Sequence, residues 1–113
     1  MPAIFKTGVE VKVCALRRDG DNAHDAVVKG GMLIIETRKT DDPDRPVTSA
    51  SLTTRGKAEW TYGRIEVKAK LPTGKGMWPA IWLLGANRGK VRWPECGEID
   101  IMENVGYDPD VVH

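Results

Sequence analysis

Cysteine and histidine are nearly missing from this sequence, with two of each in 113 residues. Cys14 and Cys96 are too few for a disulfide framework, and neither sits in a CxxC pair. They read as two buried thiols, although spacing does not test a single bridge between them. His24 and His113 stand in no catalytic or ligand-like setting, and no role is assigned to them. No stretch reaches about eighteen consecutive apolar residues, so no membrane-spanning helix is expected. An excess of one charge is missing too: 17 basic residues face 16 acidic ones, for a net charge of +1. Neither a nucleic-acid footprint nor a polybasic membrane surface follows from that balance. The opening Met1-Pro-Ala-Ile-Phe-Lys6 lacks the charged segment and apolar run of a signal peptide. Gly74-Lys-Gly76 is a turn without the strand, loop and helix setting of a phosphate site.

What is present is β patterning. The length suits one small domain. Val9, Val11, Val13 and Ala15 alternate with Glu10, Lys12 and Cys14, which is period two. Asp19-Gly-Asp-Asn22 is a turn cluster. Gly30-Gly31 precedes a strand rich in branched residues over 32–38. A polar loop with two prolines spans 40–46, and 47–54 reads as another short strand. Residues 62–71 alternate most regularly, with Arg64, Glu66, Lys68 and Lys70 on one face. Ile65, Val67, Ala69 and Leu71 lie on the other, which is expected to be buried. Residues 77–84 are nearly continuously apolar and predict a strand covered on both faces. Residues 85–92 form a loop, and 97–104 form the last strand. Gly106-Tyr-Asp-Pro109 is a final turn signal. Several short strands without an amphipathic helix indicate an all-β sandwich or barrel.

The informative segment is Trp93-Pro-Glu-Cys-Gly-Glu-Ile-Asp-Ile-Met-Glu-Asn-Val-Gly106. On a regular strand, Glu98 and Asp100 share a face with position 102, which is Met. The third carboxylate is one residue further on, at Glu103. One extra residue, such as a β-bulge supplies, brings Glu103 back to the face of the other two. Glu98 and Glu103 then lie four ladder positions apart, about 13 Å between Cα atoms. Each side chain leans inward by about 4 Å, leaving about 5 Å between carboxyls. Retaining glycosidases need about 5–5.5 Å, and inverting ones about 6.5–9.5 Å. Like charges on one face hold a proton on at least one of them. A general acid needs that proton and a nucleophile does not, so the environment can divide the roles. Asp100 can hydrogen-bond either glutamate. Two other readings stand beside this one. The strand can present a solvated acidic face, although its neighbours Cys96, Gly97, Ile99, Ile101 and Met102 are apolar or small. The three carboxylates can also take Ca²⁺ or Mg²⁺, although such sites usually sit on loops and recruit backbone carbonyls.

At these residues the sequence resembles family 16 of the glycoside hydrolases. The family motif, Glu-x-Asp-x-(x)-Glu, appears as Glu98-Ile-Asp-Ile-Met-Glu103, the form with the extra residue. Three further blocks resemble its laminarinase branch: Ser51-Leu-Thr-Thr-Arg-Gly-Lys57, Trp60-Thr-Tyr-Gly-Arg-Ile-Glu-Val-Lys-Ala-Lys-Leu-Pro72 and Gly76-Met-Trp-Pro-Ala-Ile-Trp-Leu-Leu84. The resemblance implies an all-β fold, an antiparallel β-sandwich of the concanavalin-like jelly-roll type, with a cleft across its concave face. It implies that Glu98 is the nucleophile, Glu103 the acid/base and Asp100 an assistant. Family catalytic domains are longer than this chain. Residues 26–113 are therefore expected to form part of such a domain, and residues 1–25 a divergent N-terminal segment of it. The resemblance implies no organic cofactor. In the full-length domain it implies a structural calcium, held by a carbonyl near Gly31 and a later Asp that this chain lacks. It also implies secretion.

Sugars stack on aromatic faces, which makes the four tryptophans candidates. Trp78 and Trp82 share one strand face, and either line the cleft or pack in the core. Trp93, just before the carboxylate strand, favours binding, whereas Trp60 reads as structural. Arg64 either hydrogen-bonds sugar hydroxyls or is simply solvated. The expected function is retaining endo-hydrolysis of β-1,3-glucan, with a β-glucan as the partner and neither nucleic acid nor membrane involved. The alternatives are a non-catalytic β-glucan-binding module and an inactive partial domain whose open strand edges favour association. Linkage preference and oligomeric state are not legible.

Overall fold

The computed structural model describes residues 25–113. The predicted strand over 9–15, its turn at 19–22, Cys14 and His24 lie outside them. The chain divides into two compact units at Lys70/Leu71. Six strands and one short 3₁₀ turn make up the regular structure of the described residues.

In the first unit, β1 (Ala26–Lys29) and β2 (Met32–Ile35) form an antiparallel hairpin with Lys29 opposite Met32. Only Gly30 and Gly31 connect them, at φ 59° and 73°. Two successive positive φ values make the tight turn whose twist matches a hairpin, and glycine adopts them without strain. Gly30-Gly31 is the break that the sequence pattern marks, whereas β1 is not among the expected strands. Next, β3 (Arg38–Lys39) pairs with β4 (Val47–Thr48) around the polar loop 40–46. Asp42 organises that loop: its side chain accepts from the Asp44 N–H at 2.9 Å, and its carbonyl from the Arg45 N–H at 3.1 Å. Such Asx turns explain why this composition forms a compact loop.

Asp25, beside β1, is 1% exposed, and neither of its carboxylate oxygens has a hydrogen-bond partner. Its compensation is charge: Arg38 Nε lies 3.4 Å from Oδ1. The same guanidinium hydrogen-bonds Glu36, with Nε at 3.0 Å. That hydrogen bond and the Glu36 charge, with a smaller contribution from Asp25, hold the Arg38 pKa above its ordinary value. The arginine is thus a permanent counter-charge for a carboxylate that has lost its water.

Two expected strands are corrected here. The strand over 32–38 is interrupted after Ile35, and that over 47–54 keeps only Val47–Thr48. Residues 62–71 form no strand, and only Lys68 carries a bridge. The side expected to be buried is not: Ile65 is 44% exposed and Ala69 is exposed, with only Val67 and Leu71 half-buried. Alternation specifies which side chains share a face, but a ladder partner and an opposing apolar surface must hold the strand. Locally the chain keeps its period-two sense, since Arg64 pairs with Glu66 two residues on. Trp60, read as structural, is also more than half exposed.

The second unit is built on an antiparallel pair, β5 (Ala80–Leu84) and β6 (Glu98–Glu103). Between them run a 3₁₀ turn at Ala86–Gly89 and a turn in which the Cys96 and Gly97 N–H groups donate to the carbonyls of Arg92 and Pro94. Gly85 N–H donates to Gly97 O at 3.1 Å, so the connection closes onto the residue just before β6. At the other end the pairing continues past both strands, with Asn104 N–H donating to Pro79 O and Gly106 N–H to Met77 O. The sulfur of Cys96 is unbridged and buried. The apolar run over 77–84 differs from expectation. Ile81, Leu83 and Leu84 are half-buried, but Trp78, Ala80 and Trp82 form an exposed row. One face of this strand is therefore open, not two faces covered.

Candidate active site

The register of β5 against β6 decides which side chains meet. Ala80 lies opposite Glu103 and Ile81 opposite Met102; Trp82 lies opposite Asp100, Leu83 opposite Ile99 and Leu84 opposite Glu98. The register shifts between Ile81 and Trp82, so Ile101 has no partner of its own. That is a β-bulge at the place the spacing required. Opposed residues of an antiparallel pair project to the same side. Glu98, Asp100 and Glu103 therefore share one face with Leu84, Trp82 and Ala80. A regular strand would have sent Glu103 to the other side.

The tryptophans expected to bind sugar divide clearly. Trp78 is 68% exposed, and its indole Nε1 donates to Glu103 Oε1 at 3.1 Å. Trp82 is 45% exposed and Trp93 65%. These two line a cleft of about 270 Å³ together with Leu84, Arg88 and Glu98. Within this chain neither Trp78 nor Trp82 is buried. Two indoles and a leucine supply apolar walls, while Glu98 and Arg88 supply charge of both signs. The opposition of small Ala80 to Glu103 leaves room beside that carboxyl. Glu98 and Asp100 are exposed, and Glu103 is half-buried. Arg64 belongs to the first unit, where Glu66 holds its guanidinium.

The loop after β6 braces Glu103. Asn104 is 2% exposed, and its Nδ2 donates to Val111 O at 2.7 Å and Pro109 O at 3.2 Å. The backbone of Glu103 exchanges both hydrogen bonds with His113, at 2.8 and 3.1 Å. A carboxyl-bearing residue is thus braced by four hydrogen bonds to one chain segment, 109–113. The sequence reading missed Asn104 and Arg88. A polar residue directly after an acidic strand was the available signal for the first. A loop without acids but with Arg88, Lys90 and Arg92 was the signal for the second.

Among the described residues, no three His, Cys, Asp or Glu side chains are grouped as a metal ion requires.

The strand pair thus gathers carboxylates beside indoles on a solvent-open face. The model of Glycosyl hydrolases family 16 matches residues 17–113, and the chain belongs to that family. It is 59% identical over 90 residues to a β-glucanase of Rhodothermus marinus, covering 78% of this chain and 32% of that protein. A β-1,3-glucan-binding protein of Penaeus monodon is 52% identical over 63 residues, covering 56% of this chain and 17% of the relative. The structure of the laminarinase from Rhodothermus marinus superimposes with a TM-score of 0.71 at 52% identity, over 80% of this chain and 37% of that one. The chain thus spans about a third of the length of its β-glucanase relative. At that identity the fold class is the expected one, the all-β jelly roll of these catalytic domains, present in part.

Proposed function

We propose that this chain carries the catalytic strand of a retaining endo-β-glucanase acting on β-1,3-linked, laminarin-like glucan. The observation that carries the reading is the bulged register, which sets Glu98 and Glu103 four ladder positions apart on one face. Four positions span about 13 Å. Two glutamates leaning inward by about 4 Å each reduce this to the roughly 5 Å of a double displacement.

In that reaction the Glu98 carboxylate attacks the anomeric carbon while Glu103 gives its proton to the departing glycosidic oxygen. The glycosyl ester on Glu98 is then opened by water, whose proton returns to Glu103. Two inversions restore the original anomeric configuration. Asp100, between the two on the same face, is the residue placed to hydrogen-bond a glutamate during the reaction and orient it. Trp78, Trp82 and Trp93 offer faces for sugar stacking. The β-glucanase and laminarinase relatives support a β-glucan substrate.

A second reading is a non-catalytic β-glucan-binding module, favoured by the similarity to the Penaeus monodon protein. Retention of both glutamates in this chain favours the enzyme.

The test is reducing-sugar release from soluble β-1,3-glucan by this chain and by its Glu98→Ala variant, with NMR of the product anomer. Release of β-anomer that vanishes in the variant is expected. Glucan binding without release makes the chain a binding module. Release that survives in the variant removes Glu98 as nucleophile, and initial α-anomer removes the retaining mechanism.

A further inference from the structure

The connection between β5 and β6 carries a charge that the proposed reaction does not use. From Gly85 to Pro94 the chain reads Gly-Ala-Asn-Arg-Gly-Lys-Val-Arg-Trp-Pro, with three cations and no acid. Arg88, on the 3₁₀ turn, reaches the cleft wall beside Trp82, Trp93 and Glu98. Lys90 and Arg92 follow at alternate positions, and all three are exposed. Among the described residues none of the three side chains has an ion-pair or hydrogen-bond partner. By contrast, Arg38 and Arg64 in the first unit are each paired with a glutamate two residues away.

Three unpaired cations so close together repel one another. Neutral hydroxyls need one donor in good geometry, not a field of positive charge. The complement of such a field is a net negative ligand. Arg88 is the member placed to read it, because a planar guanidinium presents paired donors that match a carboxylate or a sulfate ester. Glu98, in the same cleft, disfavours negative charge on its own side. An anionic substituent is therefore drawn to the Arg88 side while the ring stacks on Trp82 or Trp93. The volume of about 270 Å³ is close to the lower end, about 300 Å³, of ordinary small-ligand pockets.

We infer that the Arg88 end of the cleft is a subsite for anionic substituents, carboxylate or sulfate, on a β-glucan chain. Arg88 is its specificity-determining residue, and Lys90 and Arg92 supply long-range attraction. This inference rests on the glucan-cleft reading above, but not on turnover.

The experiment is calorimetric titration of the full chain in a Glu103→Gln background, which blocks the proposed turnover and leaves Arg88 and Glu98 in place. Three ligands are compared: a neutral β-1,3-gluco-oligosaccharide, its 6-carboxylated counterpart and its sulfated counterpart. At about 20 mM NaCl at least one anionic ligand should bind about tenfold more tightly than the neutral one, the order expected of a charge-assisted hydrogen bond. That preference should vanish in Arg88→Gln and shrink at about 500 mM NaCl. The carboxylated and sulfated arms tell which anion is recognised. Equal binding of all three ligands overturns the inference. So does a preference that persists in Arg88→Gln but is lost in Lys90→Gln/Arg92→Gln, which would be diffuse attraction without a subsite. Failure of every ligand to bind overturns it as well. A chain that shows the anionic preference yet releases no sugar in the preceding assay leaves this inference standing and removes the hydrolase.

Discussion

Deleting one isoleucine from β6 should be harmless at position 101 and disabling at position 99. Ile101 is the residue without a cross-strand partner. Its deletion leaves Asp100 opposite Trp82 and Met102 opposite Ile81, now without the shift, so all three carboxylates keep their face. The ladder distance from Glu98 to Glu103 stays at four positions, about 13 Å, and the carboxyl separation at about 5 Å. The deletion removes the extra local twist of the bulge, a change that should lower glucan hydrolysis by no more than about tenfold. Ile99, in contrast, lies between Glu98 and Asp100 and is paired with Leu83. Its removal makes the two acids adjacent, and adjacent side chains point to opposite faces. Glu98 then leaves the cleft, and activity should fall by about 10⁴-fold, the range associated with losing an essential acid–base group or more. Both isoleucines are exposed, at 64% for Ile99 and 36% for Ile101, so neither deletion empties a core. Reducing-sugar release from β-1,3-glucan, with circular dichroism to establish folding, compares the pair. Equal loss in two folded variants, or survival of activity without Ile99, would refute the parity argument.

Three further outcomes are expected. Trp78→Phe keeps an aromatic ring but loses the N–H donated to Glu103 Oε1; kcat should fall about tenfold with little change in KM, as expected for a hydrogen bond that positions the acid/base carboxyl. Asn104→Ala leaves the carbonyls of Pro109 and Val111 without their donor, which should cost about 1–3 kcal/mol in urea unfolding. Gly85→Ala drives a Cβ to 1.9 Å from the Cys96 carbonyl oxygen; the backbone shift should cost about 1–3 kcal/mol and be seen as a lower Tm.

The carboxylate strand was legible because parity is a property of sequence. Glu103 stands five positions after Glu98, an odd offset, so their meeting on one face demands an extra residue wherever the strand pairs. The hairpin turn was legible in the same way, since Gly30-Gly31 is what two positive φ values require. The 62–71 segment misled because its alternation, the most regular in the chain, describes side-chain faces without naming a partner to hold them. Asn104 and Arg88 were missed because their roles depend on segments brought close by folding: Pro109 and Val111 for one, and the cleft walls for the other.

By itself the sequence determined the family, the β character and the need for a bulge, because motif spacing and period-two alternation are written along the chain. Tertiary structure alone decided that Ile101 is the unpaired residue, that β5 opposes β6 and that the Trp78, Ala80 and Trp82 face is open. The physical reason is that alternation sorts side chains into two sets. Only the hydrogen-bonded partner and the packing on either side decide which set meets water, substrate or core.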